Sequence, residues 1–188
     1  RFMEKALARV NAIKMGSPLD AATMIGAQAS NDQLEKILSY IEIGKQEGDL
    51  LAGGGVGEGN GHYVEATVFG NIAPDARLAQ EEVFGPVLAL IKVKDFDHGL
   101  EVANNTEYGL TGSVYTDNPE HKEAAIREFH VGNCYINRKC TGALVGVHPF
   151  GGFNIDGGDY APRGFHHLLH AGEAFDAYNV QILAGRAG

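Results

Sequence analysis

The sequence predicts an α/β fold, a largely parallel sheet with helices packed on it. Two observations carry that expectation. Strand-like and helix-like segments alternate through the middle of the chain, at 87–93, 97–104, 110–116, 119–129 and 132–137. Parallel neighbours need helical crossovers of this kind, and such crossovers are right-handed almost without exception. The first of these segments, Val-Leu-Ala-Leu-Ile-Lys-Val at 87–93, is apolar nearly throughout, as a strand covered on both faces must be.

The other elements follow from spacing and punctuation. Phe2, Ala6, Leu7, Val10 and Ile13 fall on one helical face, so a helix is expected over 2–13. Gly16, Pro18 and Asp20 then mark a loop. Ser30 or Asn31 can cap a second helix, whose stripe is Leu34, Ile37, Leu38 and Ile41, and Gly48 is its natural stop. The glycine-dense stretch 53–61 leads into a strand expected over His62–Phe69. A phosphate-cradling role for those glycines would need a helix N-terminus next, and a strand follows instead, so a turn is the plainer reading. Asp97 is the expected cap of the helix ending at Asn104. Asn118-Pro119-Glu120 combines a cap, a proline in the first turn and an acid at the positive helix end.

Composition bounds the function. The 188 residues carry 15 Lys and Arg against 24 Asp and Glu, a net charge of −9. Without a basic stripe this argues against nucleic acid or an anionic membrane as partner. No apolar run approaches the ~18–20 residues of a membrane span. Two cysteines, Cys134 and Cys140, are too few for a disulfide scaffold or a four-thiolate zinc site. No secretory signal opens the chain, so the cytoplasm, or the mitochondrial matrix in a eukaryote, is the expected location. The first residue is Arg1, which suggests a piece of something longer.

Three groups of residues could carry chemistry. Glu81-Glu82-Val83-Phe84-Gly85-Pro86 sets carboxylates and an aromatic ring before the buried strand, where they could hold a polar ligand or simply form a strand-entry turn. Asn137-Arg138-Lys139-Cys140-Thr141-Gly142-Ala143 places cations, small residues and backbone amides after a strand, a plausible carboxylate site. A cation there could also activate Cys140, although no acid–base partner is set by spacing and inert packing is the commoner role of a lone cysteine. His166 and His170 would share a helix face, but His167 stands where the zinc-protease pattern needs a base, and no metal site is expected.

Four motifs occur in order: Ile41–Gly48, Glu81–Pro86, Ala103–Gly112 and Pro149–Gly152. Together they resemble the C-terminal part of the aldehyde dehydrogenase superfamily, which implies a three-layer αβα catalytic domain with a largely parallel sheet. The stretch from Phe129 through Gly146 is similar to the branch that oxidises glutamate γ-semialdehyde, the 1-pyrroline-5-carboxylate dehydrogenases. Met24–Ser30 looks closer to the branch acting on simple aliphatic aldehydes, and the substrate loop is taken to decide between them. The resemblance implies that Glu82 contacts the nicotinamide-side ribose of NAD with Phe84 packed beside it. It implies that backbone amides at Gly142 and Ala143 anchor the substrate carboxylate and that Phe150 lines the aldehyde pocket.

The family's mechanism uses a cysteine thiolate, a glutamate base and a Rossmann-like nucleotide domain. By resemblance all three precede Arg1, and Cys140 does not match the nucleophile. The chain is therefore expected to need a missing N-terminal region or partner chain, with glutamate γ-semialdehyde as substrate of the full enzyme. A homo-oligomer is also expected. Residues 1–158 read as part of the catalytic domain and 159–188 as a divergent tail, either a changed end or a shifted reading frame. The alternative is a non-catalytic remnant that only folds and associates.

Overall fold

The computed structural model describes residues 2–141, 152–156 and 180–183. In chain order the elements are α1 (Phe2–Asn11), α2 (Asn31–Glu47), β1 (Asp49–Ala52), β2 (Thr67–Gly70), α3 (Arg77–Gln80), β3 (Val87–Lys92), α4 (Phe96–Asn104), β4 (Thr111–Val114), α5 (Pro119–Glu128), β5 (Asn133–Ile136) and β6 (Val180–Leu183), with a 3₁₀ turn at Asn154–Asp156. The fold is α/β. Two compact units divide the chain, residues 1–92 with 179–183 and residues 93–178 with 184–188.

The first unit holds a four-stranded sheet in the order β1-β2-β3-β6. β1 runs antiparallel to β2, whereas β2–β3 and β3–β6 are parallel. α2 begins where Ser30 Oγ accepts the Gln33 N–H at 3.2 Å, an N-cap that relieves one orphan amide. Of its predicted stripe, Ile37 and Ile41 are fully buried. Gly44 is buried too, and a Cβ there would come within 2.8 Å of the Phe69 ring and 2.9 Å of Leu78. The bare backbone lets α2 lie directly on β2. One turn later the Glu47 carboxylate accepts the N–H groups of Arg77 (3.0 Å) and Leu78 (2.9 Å), so α2 caps α3. Phe69, Val68 and Thr67 of β2 are almost wholly shielded from water. Burying one such large apolar side chain contributes roughly 2–3 kcal/mol.

The strand expected from His62 starts at Thr67 instead. Residues before it fold back on the glycine stretch, with Gly57 N–H donating to Tyr63 O and Glu65 N–H to Gly55 O, both at 3.0 Å. Gly53 and Gly54 sit at φ +68 and +98, the left-handed region that glycine enters freely. Gly54 N–H donates to Thr67 Oγ1 and Gly55 N–H to Glu65 Oε2, each at 3.0 Å. The amides of Gly54, Gly55 and Gly57 are thus engaged in building a turn.

In the second unit β4 and β5 pair in parallel, Thr111 opposite Asn133 through Val114 opposite Ile136, with α5 as their crossover. Asn118 Oδ1 accepts the Glu120 N–H at 2.9 Å and Pro119 occupies the first turn, as the sequence predicts. The cap of α4 is Asp95, whose carboxylate accepts the His98 N–H at 2.9 Å; Asp97 falls inside the first turn. Asp95 has the extended backbone a cap requires, two residues earlier than expected. β4 and β5 form a two-stranded sheet of their own. The Asn104 side chain ties α4 to the end of α5, donating to Glu128 O (2.7 Å) and accepting the His130 N–H (2.8 Å). His130 in turn stacks on Phe153, ring centroids 5.3 Å apart.

Candidate functional site

The segment Glu81–Pro86 joins α3 to β3 and lies along α2. Its two adjacent acids have different surroundings. Glu81 receives a bidentate pair from Arg77, Nε to Oε1 and an Nη to Oε2, both at 2.8 Å. Tyr40 of α2 adds its hydroxyl, donating to Oε2 at 2.6 Å. The Arg77 guanidinium, then the Tyr40 hydroxyl, hold the Glu81 carboxyl down at about 2. Reciprocally, hydrogen bonding to Glu81 raises the Tyr40 phenol above its usual value, and burial adds to that rise. Glu81 is therefore committed to structure.

Glu82, the next residue, is half-buried, and its Oε1 is shielded from solvent. Phe84 has φ +54, a left-handed conformation uncommon for an aromatic residue, and its ring is 42% exposed. Holding a bulky side chain there costs on the order of 1–2 kcal/mol. The conformation is clamped from α2, where Gln33 Nε2 donates to the carbonyls of Val83 (3.1 Å) and Phe84 (2.8 Å). Behind it Gly85 packs on Ile37, with no space for a Cβ, which would stand 2.6 Å from Ile37 Cδ1. The turn closes as Pro86 O accepts the Thr67 N–H at 2.8 Å, delivering the chain into β3 beside β2.

Glu82 and Phe84 thus lie in one braced segment, an acceptor carboxylate near an exposed ring. Sequence reasoning missed Gln33, Tyr40 and Arg77. Only the Arg77–Glu81 pair left a local trace, a cation and an acid four residues apart in a short helix. Gly142, Ala143 and Phe150 lie outside the described residues, as do His166, His167 and His170. Just before these positions, Asn137 adopts φ +57 and pairs its amide with Thr116, accepting its N–H at 2.8 Å and donating to its carbonyl at 3.0 Å. Arg138 donates to Thr141 O at 3.1 Å and covers the Tyr135 ring at 5.3 Å. Cys140 is half-buried, and burial pushes the Cys134 thiol up, away from the thiolate a nucleophile needs. Among the described residues no cluster of three His, Cys, Asp or Glu could hold a metal ion, and no helix is long and apolar enough to cross a membrane.

The sequence model of the aldehyde dehydrogenase family matches residues 1–169. The chain belongs to that family. It is 53% identical over 157 residues to the 1-pyrroline-5-carboxylate dehydrogenase of Anoxybacillus flavithermus, covering 84% of this chain and 30% of the relative. The Bacillus subtilis enzyme of the same name is 50% identical over 167 residues, 89% of this chain and 32% of the relative. A solved 1-pyrroline-5-carboxylate dehydrogenase from Thermus with bound NAD superposes with a TM-score of 0.78 at 56% identity, over 81% of this chain and 29% of that one. The chain spans about a third of the length of these aldehyde dehydrogenase relatives.

Proposed function

We propose that this chain supplies part of the catalytic domain of an NAD-dependent 1-pyrroline-5-carboxylate dehydrogenase, which oxidises glutamate γ-semialdehyde to glutamate in proline breakdown. The observation that carries the reading is identity of 50–56% to enzymes of that name across four-fifths or more of the chain. Residues 1–158 form the catalytic-domain portion and 159–188 a divergent tail. The enzyme is cytoplasmic and a homo-oligomer; exposed Leu19 and Met24 suit subunit association.

The residues present fit the nicotinamide side of the cofactor. A half-buried carboxylate at Glu82 can accept from ribose hydroxyls, and the exposed Phe84 ring offers a flat apolar face. NAD, when bound, supplies the hydride acceptor. Backbone amides at Gly142 and Ala143 receive the substrate's α-carboxylate, and Phe150 lines the aldehyde pocket. A site that pairs with this polar head group rejects simple aldehydes, because its buried donors would otherwise go unmatched. The attacking thiolate, the base that activates water for thioester hydrolysis, and the nucleotide domain are contributed from outside these 188 residues.

The test is complementation. The chain is co-expressed with the N-terminal segment of the Bacillus subtilis relative, and NADH formation from pyrroline-5-carboxylate is followed by absorbance. Turnover is expected from the pair, from neither part alone, and not from a pair carrying Glu82→Ala. A complex that forms and stays inactive overturns the reading. So does turnover by the chain alone that disappears in Cys140→Ala.

A further inference from the structure

The faces of α2 that meet residues 77–86 form a continuous ruler. Gln33 holds the carbonyls of Val83 and Phe84. Ile37 fills the space beside Gly85, Tyr40 binds Glu81, Gly44 admits Leu78, and Glu47 caps the first turn of α3. Four of these contacts locate α3 and the base of the segment. Gln33 alone reaches the residues on either side of the Val83–Phe84 peptide, where the backbone enters the left-handed region at Phe84.

We infer that Gln33 is a positioning residue, whose paired hydrogen bonds set the Val83–Phe84 backbone and thereby the direction in which Glu82 and Phe84 are presented. The functional meaning of that setting rests on the cofactor reading above; the setting itself is a property of this chain. One amide group has two donors, and both are spent on consecutive carbonyls. Two acceptors held from one rigid helix fix the mutual orientation of the two peptide groups that flank the Phe84 Cα, as a single bond would not. A side chain of equal length without donors would leave Phe84 free to relax toward negative φ. Glu would be worse, since its carboxylate would face two carbonyl oxygens with no hydrogen to share.

The test is hydrogen exchange measured by mass spectrometry on the 188-residue chain, comparing Gln33→Met, Gln33→Glu and Gln33→Lys with the parent. Met and Glu should speed exchange in peptides covering 81–87 on the order of tenfold, the size expected from losing two neutral hydrogen bonds. Lys, which regains donors at similar reach, should restore most of the protection. Exchange in the rest of α2 and in β2 should not change. Equal exchange at 81–87 in all four proteins overturns the inference. Loosening that spreads through α2 and β2, or that Lys does not reverse, also overturns it, because the side chain would then serve helix packing alone. Adding NAD to the chain paired with the N-terminal segment of the Bacillus subtilis relative reads the other premise separately: absence of protection at 81–87 in that complex counts against the cofactor reading, while the variant comparison still decides the role of Gln33.

Discussion

The hydroxyl of Tyr40 donates to Glu81 Oε2 at 2.6 Å, joining the middle of α2 to the first residue of the candidate site segment, 41 positions away. Arg77 closes the same carboxylate from the other side. Two side chains from two helices thus fix one acid.

This arrangement makes stability depend on pH in a defined direction. Bonding to Arg77 and then Tyr40 holds the Glu81 carboxyl at about 2 in the folded chain, against 4.5 for the free group. A depressed carboxyl stabilises the fold above its unfolded value, and that contribution is lost as pH falls from about 4.5 toward 2. Because the pair is part-exposed, solvent and salt reduce its worth. Glu81→Gln should therefore lower the thermal midpoint at pH 6–7 by a small amount, and the gap to the parent should narrow steadily as pH falls from about 4.5 toward 2. A gap that stays constant across this range would show that the ion pair is not what the carboxylate contributes.

Ile37 is wholly buried beneath Gly85. Ile37→Ala removes three methyl or methylene groups from a site whose surroundings, β2 and the site segment, cannot readily collapse. A loss of about 2–5 kcal/mol is expected in urea unfolding, with the slope unchanged. A loss below ~1 kcal/mol would mean that the 85–87 backbone moves in to fill the space.

The two thiols are distinguishable. Burial raises the Cys134 thiol, so less thiolate is present at a given pH, and access is reduced as well. In a Cys140→Ser background, alkylation of Cys134 by iodoacetamide should be at least about tenfold slower in the folded chain than in urea. Equal rates would place Cys134 among reactive thiols and reopen a cysteine nucleophile within this chain.

Much of the α/β pattern was legible because it rests on local signals. The apolar run at 87–93, the Ser30 cap and stripe of α2, and the Asn118-Pro119 start of α5 each depend on neighbours a few residues apart, and each lies where expected. β1 was not legible: four residues with two part-exposed leucines carry no alternation, and β2 rather than propensity makes them a strand. The strand read from His62 failed at its start because Val64 and Glu65 found partners in the glycine stretch before the sheet began. At the candidate site Glu82 and Phe84 stood out by type and by resemblance. The clamp did not, since Gln33 looks like any polar residue in a first helical turn and meets its acceptors 50 and 51 positions later.

Gly44 sets the distance at which that clamp operates. In a helix interior, glycine is worse than alanine by about 1 kcal/mol, so Gly44→Ala would stabilise an isolated α2. Here the new methyl would stand 2.8 Å from Phe69 Cζ and 2.9 Å from Leu78 Cδ2. Phe69 is fully buried and Leu78 nearly so, which leaves neither ring nor isobutyl group room to swing aside. Overpacking of this kind costs about 1–3 kcal/mol, so the clash should outweigh the gain in propensity and leave a net loss of up to ~2 kcal/mol in urea unfolding. The strain has one easy exit, in which α2 lifts from β2 and draws Gln33 and Tyr40 away from the segment they hold. Hydrogen exchange at 81–87 should then rise along with the loss of stability. An alanine variant as stable as the parent, with unchanged exchange at 81–87, would show that α2 does not set the position of the site by direct contact with β2.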